Sequence, residues 1–358
     1  MELSMRAESV ETAAGWLDNL ACPACETRLN LAAGQILTCR KCAKSWPVTH
    51  GVPEFVSEFP YWGEIPLEQM IEVNRQAAAQ SWRTALLASP DPVVRRASEM
   101  ILNLDRANWF VFTDLPPKSR VLDLGAGMGT NTHALALRFG EVVAVEPVAE
   151  RVRFMYERFR QERISNVRLV RSSLWDLPFP RESFDLMVMN GVLEWVAEGR
   201  RGDPRRLQMA ALKNAARLLR PGGVLYLGIE NRFTPGYFVG YPDPHCSLPW
   251  VTILPRPLAN WYARSKGQPA GYRNYLYSSR GYRKLLRRSG FRACACYLAL
   301  PSYNHPKFYL PLDRRVFSYM SGEFGVPAAG LRGILKACLA GFGLLHQLEY
   351  SFALLATK

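Results

Sequence analysis

The chain has 358 residues, 48% of them hydrophobic, which is long for one domain, comfortable for two and enough for a sizeable buried core. No stretch reads as a membrane-spanning helix: the longest apolar candidate, 326–348, is broken by Pro327, several glycines, Arg332, Lys336 and His346, and the opening MELSMRAESV lacks the apolar centre of a secretory signal, so the expected location is the cytoplasm. The net charge of +14 comes almost entirely from residues 200–300, which hold 18 Lys/Arg against 3 Asp/Glu; such a segment suits an anionic partner (nucleic acid, a phosphorylated or acidic sugar, an anionic membrane surface) and serves equally as a solubilising face.

Four of the eight cysteines fall in the pattern Cys22-Pro23-Ala24-Cys25, thirteen residues, Cys39-Arg40-Lys41-Cys42. Two short C-x-x-C turns, joined by a hairpin through Leu29, Leu31 and 36–38, bring four thiolates into a tetrahedron suited to Zn2+. Four thiolates close the shell. Cys22, Cys25, Cys39 and Cys42 are therefore expected to hold a structural zinc, and His50 is not needed. A redox pair leaves the second C-x-x-C unexplained. Cys246, Cys294, Cys296 and Cys338 read as reduced thiols. With the run 45–55 (SWPVTHGVPEF), residues 20–56 resemble small zinc-ribbon modules, which implies recognition or scaffolding rather than chemistry.

Two helices are expected next, at 67–88 and 93–112, separated by Ser89-Pro90-Asp91-Pro92 and closed by Pro116-Pro117. From Arg120 short apolar runs alternate with helical segments. Val121-Leu122-Asp123-Leu124 is a buried parallel strand. Gly125-Ala126-Gly127-Met128-Gly129 is a turn whose glycines let backbone pass close to a ligand. A helix follows over 132–139. Val142-Val143-Ala144-Val145 is the second strand, ending in Glu146, a carboxylate able to accept both hydroxyls of an adenosine ribose. Strands at 166–170 and 184–189 follow, the latter ending at Asn190. A helix over 207–219 then leads through Arg220-Pro221-Gly222-Gly223 to a fifth strand at 224–229.

This ordered series, over 119–231, resembles the class I methyltransferases that use S-adenosylmethionine (SAM). The resemblance implies an α/β, doubly wound, seven-stranded Rossmann-like sheet. It implies that Gly125, Gly127 and Gly129 cradle the methionine portion, that Asp123 orients the turn, and that Glu146 holds the ribose. Ser173 and Leu174 would meet the adenine, with Ser173 standing where many relatives have Asp. Asn190, opening NGVLEW, falls where relatives line the reaction centre. The front ribbon resembles those that accompany such enzymes, fused or as separate activating subunits. The leading helices either cover the cofactor or simply pack on the sheet.

SAM delivers an already activated methyl group, so the protein must align an acceptor and exclude water, and a hydroxyl acceptor also needs its proton removed. The fourth strand does not end in the Asn/Asp-Pro-Pro-Tyr/Phe loop used on exocyclic base amines. A long insertion from Glu230-Asn231-Arg232 through 241–245 (YPDPH) to about 280 is rich in Tyr, Trp, Arg and Pro. Within it His245 is the expected proton acceptor and Glu194 the second candidate, a structural histidine being the plain alternative. A sixth strand is expected at 290–297 and an antiparallel closing strand at 349–356. The insertion between them, 301–345, carries an apolar helix at 331–345 that packs on the core or lies on a membrane.

The ENR opening, the following aspartate and histidine, and SYNHPK at 302–307 resemble methyltransferases found among polysaccharide and lipopolysaccharide assembly enzymes. That implies a glycan or glycolipid acceptor, acidic or phosphorylated, with peripheral membrane contact. RNA methylation and a non-catalytic SAM-binding regulator are the competing readings. The expected domains are a ribbon at 18–58, a helical linker or cap at 64–117, and a methyltransferase domain at 118–358 with insertions at 231–280 and 301–345.

Overall fold

A computed structural model describes residues 15–32, 35–316, 319 and 347–358. The chain divides into two compact units. One comprises Met1–Ala107, Leu115–Met187 and Arg217–Pro221; the other comprises Asn108–Asp114, Val188–Ala216 and Gly222–Lys358.

In the first unit, β1 (Asn30–Ala32), β2 (Ile36–Thr38), β3 (Ser45–Thr49) and β4 (Val52–Pro53) form a small antiparallel sheet in that order. The chain leaves β4 by pairing with a larger sheet: Phe55 N donates to Arg171 O at 2.8 Å, and the Glu54 carboxylate accepts from Arg171 Nη1 at 2.6 Å. Helix α1 (Leu67–Ala79) and α2 (Trp82–Leu87) replace the single helix expected over 67–88. The break has a local cause: Ser81 is extended and its side chain accepts from Thr84 N, capping a new helix. Helix α3 (Pro92–Leu102) starts as read, with Asp91 accepting from Val93 and Val94 N and proline at the first turn. It stops ten residues short of the expected 112, because Asn103 turns extended and a 3-10 segment, Leu104–Phe112, follows.

Strands β5 (Arg120–Leu124), β6 (Glu141–Glu146) and β7 (Val167–Arg171) pair in parallel, with Val121 opposite Val142 and Val142 opposite Val167. Residues 121–124 and 142–146 are all buried, the continuous apolar pattern of strands covered on both faces. Helices α4 (Thr130–Ala136) and α5 (Ala149–Gln161) follow β5 and β6. Helices α1 to α3 pack on α5 and on the turn after β5 through one cluster that includes Met70, Trp82, Leu86, Ile101, Met128 and Phe154.

In the second unit, helix α6 (Pro204–Leu218) leads into β9 (Leu219–Glu230). Strand β10 (Ala293–Leu300) pairs antiparallel with β12 (Ser351–Thr357), and β12 pairs antiparallel with β9 from Val224 to Glu230, as expected for the closing strand. Strand β11 (Phe308–Pro311) adds to β10. With β8 (Phe184–Asn190), the strand order is β11-β10-β12-β9-β8-β5-β6-β7. The sheet thus has eight strands rather than the expected seven. The extra one arises because Lys307 N donates to Leu300 O at 2.7 Å and turns the chain back along β10.

The insertion after β9 is ordered by its own residues. It holds α7 (Pro235–Phe238), α8 (Arg256–Ser265) and α9 (Ser279–Arg288). Asn231 Nδ2 donates to Gln347 O and Glu349 O, and Arg232 reaches Thr252 O and Leu254 O. The expected helix at 331–345, together with Cys338, lies outside the described residues. Among the described residues, no helix is long and apolar enough to cross a membrane.

Candidate active site

The turn after β5 is built from both ends. Gly125 and Ala126 N donate to Val145 O, and Gly125, Gly127 and Gly129 take φ of +67°, +58° and +77°, a region that favours glycine. The three have different reasons. A Cβ on Gly129 would stand 2.8 Å from Phe159 Cζ and 2.9 Å from Met155 Cγ, so this glycine permits close packing of α5. A Cβ on Gly127 would meet only Arg151 Nη1, at 3.8 Å. Asp123 is buried and accepts from Thr132 Oγ1 at 2.6 Å, tying β5 to α4. Burial pushes its carboxyl up to about 6, against the lowering effect of Thr132.

Glu146 is also buried. Its Oε2 accepts from Gly127 N at 2.9 Å and its Oε1 from Val148 N at 3.1 Å. Arg151 Nη1 stands 4.0 Å from it. The same guanidinium donates to Glu64 at 2.6 Å and lies 4.8 Å over the Trp62 ring, so the segment ahead of α1 meets this carboxylate through Arg151. Ser173 Oγ donates to Asp176 Oδ2 at 2.6 Å and accepts from Trp175 N. The Asp176 carboxylate therefore stands beside the Ser173 hydroxyl. Asp123, the three glycines, Glu146, Ser173 and Leu174 all belong to the first unit.

The second unit holds a different cluster. Asn190 ends β8, Glu230 ends β9, Glu194 follows Asn190 by one turn, and Asp243 and His245 sit in the insertion. His245 Nδ1 lies 2.8 Å from Asp243 Oδ1, and its Nε2 lies 3.8 Å from Glu194 Oε1 and 3.7 Å from Glu230 Oε2. Tyr303 OH donates to Glu230 Oε1, and Tyr272 OH to Asp243 Oδ2. A Cβ on Gly191 would stand 2.9 Å from Tyr303 OH, so this glycine makes room for the phenol. Burial pushes Glu230 up to about 7, with the Glu194 charge adding to it. Burial alone would lower His245, but the hydrogen bond to Asp243 and the two glutamates raise it to about 11. Its Nε2 faces the carboxylates of Glu194 and Glu230. The sequence reading found His245, Glu194 and Asn190 but gave no role to Glu230, Asp243 or Tyr303. The signals were present in ENR, YPDPH and SYNHPK.

The four front cysteines converge, with Sγ–Sγ distances of 3.5 Å for Cys22–Cys42 and 3.4 Å for Cys25–Cys39. Their sulfurs all lie within 4.8 Å of one another, a spacing compatible with one metal ion. The two turns repeat one geometry. Cys22 N and Cys39 N donate to the oxygens of Thr27 and Lys44, while Glu26 N and Ala43 N donate back to Cys22 O and Cys39 O. Glu26 and Ala43 both take positive φ, 60° and 55°.

Residues 122–227 match the model of a methyltransferase-domain family. The chain is 34% identical over 112 residues to an uncharacterized methyltransferase of Schizosaccharomyces pombe, covering 29% of this chain and 37% of that one. It is 32% identical over 118 residues to the tRNA 5-carboxymethoxyuridine methyltransferase of Escherichia coli, covering 32% of this chain and 42% of that one. It spans less than half the length of either relative. Among solved structures, phosphoethanolamine N-methyltransferase 2 of Haemonchus contortus with bound S-adenosyl-L-methionine aligns at 15% identity and a TM-score of 0.41, over 80% of this chain and 59% of that one. The buried strands, the glycine turn closed on Glu146 and the family match coincide on one segment: residues 122–227 match a methyltransferase domain and lie in a sheet of α/β Rossmann-like fold.

Proposed function

We propose that the protein transfers the methyl group of SAM to a hydroxyl of a glycan or glycolipid. The observation that carries the methyltransferase reading is the turn 125–129, where three glycines at positive φ close on Glu146 through the Gly127 amide. The residues fit the cofactor: the cradle bears no side chain at Gly125 or Gly127, and buried carboxylates end both flanking strands. Gly125 and Gly127 would admit the methionine portion, Glu146 the ribose, and Ser173-Leu174 with Asp176 the adenine. SAM supplies a methyl on a sulfonium, which leaves as a neutral thioether. We assign Glu194, His245 and Asn190 to the acceptor end. The four cysteines, in this reading, hold a structural Zn2+. The glycan assignment rests on the ENR, YPDPH and SYNHPK stretches. A tRNA-modifying relative and the basic segment 200–300 favour RNA as the second reading.

Calorimetric titration of SAM tests the cofactor. Gly127→Val puts a β-branched side chain where φ is +58°, and its SAM affinity is expected to fall at least tenfold. Unchanged affinity removes the turn from the proposal. Radiolabelled methyl transfer into cell extract, counted separately in polysaccharide, lipid, RNA and protein, tests the acceptor. Label in RNA alone replaces the glycan reading with the RNA one.

A further inference from the structure

We propose that Glu194, Glu230 and His245 form a site for a divalent cation of the Mn2+ class, distinct from the four-cysteine cluster. The three offer two carboxylate oxygens and one imidazole nitrogen, all within 4.8 Å of one another. The distances separate two explanations. A protonated Nε2 bonded to a carboxylate would stand about 2.8 Å from it, whereas here both oxygens lie at 3.7–3.8 Å. Ligands about 2.1 Å from one ion, at angles of roughly 90–120°, lie about 3.0–3.7 Å apart. The two His245 edges, 3.7 and 3.8 Å, sit at the wide end of that range, where ligands subtend about 120° or slightly more at one ion.

Unsatisfied valence points the same way. Both Glu194 oxygens and Glu230 Oε2 are buried without a hydrogen-bond partner, and the Glu194 side chain is 0% exposed. Buried carboxylate oxygens of this kind cost several kcal/mol unless a cation meets them. Three carboxylates, those of Glu194, Glu230 and Asp243, face one imidazole, and among the described residues no Lys or Arg forms an ion pair with any of them. Even a fully protonated histidine leaves the group negative. The remaining contacts orient ligands: Asp243 holds His245 Nδ1 and so directs Nε2 inward, the carboxylate–histidine pairing common behind metal ions, and Tyr303 fixes the other oxygen of Glu230. Two carboxylates and one imidazole suit a harder ion than the thiolate cluster does.

The placement at the acceptor end rests on the reading above; the site itself does not. The test uses the full zinc-loaded chain, titrated with MnCl2 while free Mn2+ is followed by electron paramagnetic resonance. One Mn2+ per chain is expected, with electron-spin-echo modulation from one imidazole nitrogen. Glu194→Gln and Glu230→Gln should each weaken uptake at least tenfold, with folding checked by circular dichroism. Asp243→Asn removes no ligand and should weaken it about 10- to 100-fold, and it serves where a glutamine variant does not fold. A wild-type chain that leaves all the Mn2+ free overturns the site, as does unchanged affinity in folded variants. SAM titration of the same samples separates the two readings. SAM bound without Mn2+ removes the cation site alone; Mn2+ bound without SAM leaves it standing and removes the methyltransferase reading.

Discussion

Asp123 shows how one residue reports on its surroundings. Its carboxyl is raised from 3.8 to about 6 because the ionised form is buried at the end of β5. The folded state therefore binds the proton more tightly than the unfolded one. The stability this contributes is fully present below pH 4 and is lost as pH rises through 6, a change of roughly 3 kcal/mol. Asp123→Asn keeps an acceptor for Thr132 and lacks this dependence. Without ligand, its melting temperature relative to wild type should climb between pH 4 and 7, measured by calorimetry; a constant difference would show that the carboxylate is not buried as described. At this scale the sequence was legible where a feature is local, as in the glycine turn at 125–129 and the strand that ends in Glu146. It was not legible where groups from 194, 230, 243 and 303 meet, since no spacing rule links residues that far apart. Gly129 was read as part of the cradle; it also permits close packing of Met155 and Phe159, a second reason that sequence alone does not show.

Helix α5 organises the elements around the glycine turn. Its Arg158 is fully buried and donates to Met128 O at 2.9 Å and to Ile101 O at 3.3 Å. It also faces His133 Nδ1 and lies 4.4 Å over the Trp82 ring. One side chain thus fastens the glycine turn to α3. Burial lowers Arg158 to about 9 and His133 to about 4, so the imidazole is neutral and accepts. Arg158→Met takes a donor from Met128 O and one from Ile101 O, which keeps the Thr130 hydroxyl, and should destabilise by about 2–4 kcal/mol, read from chemical denaturation. SAM affinity should fall with it because the turn loses its support. The central strands were legible because strands covered on both faces write continuous apolar runs. Helix boundaries were less so. The break at Ser81 uses a cap without glycine or proline, and β11 exists only because the chain folds back on β10.

For the whole molecule, the front ribbon matters more by its position than by any chemistry of its own. Strand β7 ends the large sheet, and backbone around Glu54 and Phe55 pairs with Arg171 on it. Ala21 N reaches Pro178 O, and Glu26 pairs with Arg181 and Arg217. Val52 enters the same cluster as Ala144, Val152 and Met155. If the cysteines hold zinc, Cys39→Ser should release one metal equivalent, measured by atomic emission, and lower the melting temperature of the whole chain. Full zinc retention would show that the ligands are misassigned. The ribbon motif and the glycine turn were each legible alone. Their attachment was not, because Glu54–Arg171 joins positions 117 apart in the chain.

That attachment also guards against self-association. An end strand with bare amides and carbonyls is a template for another molecule's backbone. If the four cysteines hold zinc, a chain stripped of it would bare that rim and should associate with its own copies before its helices are lost.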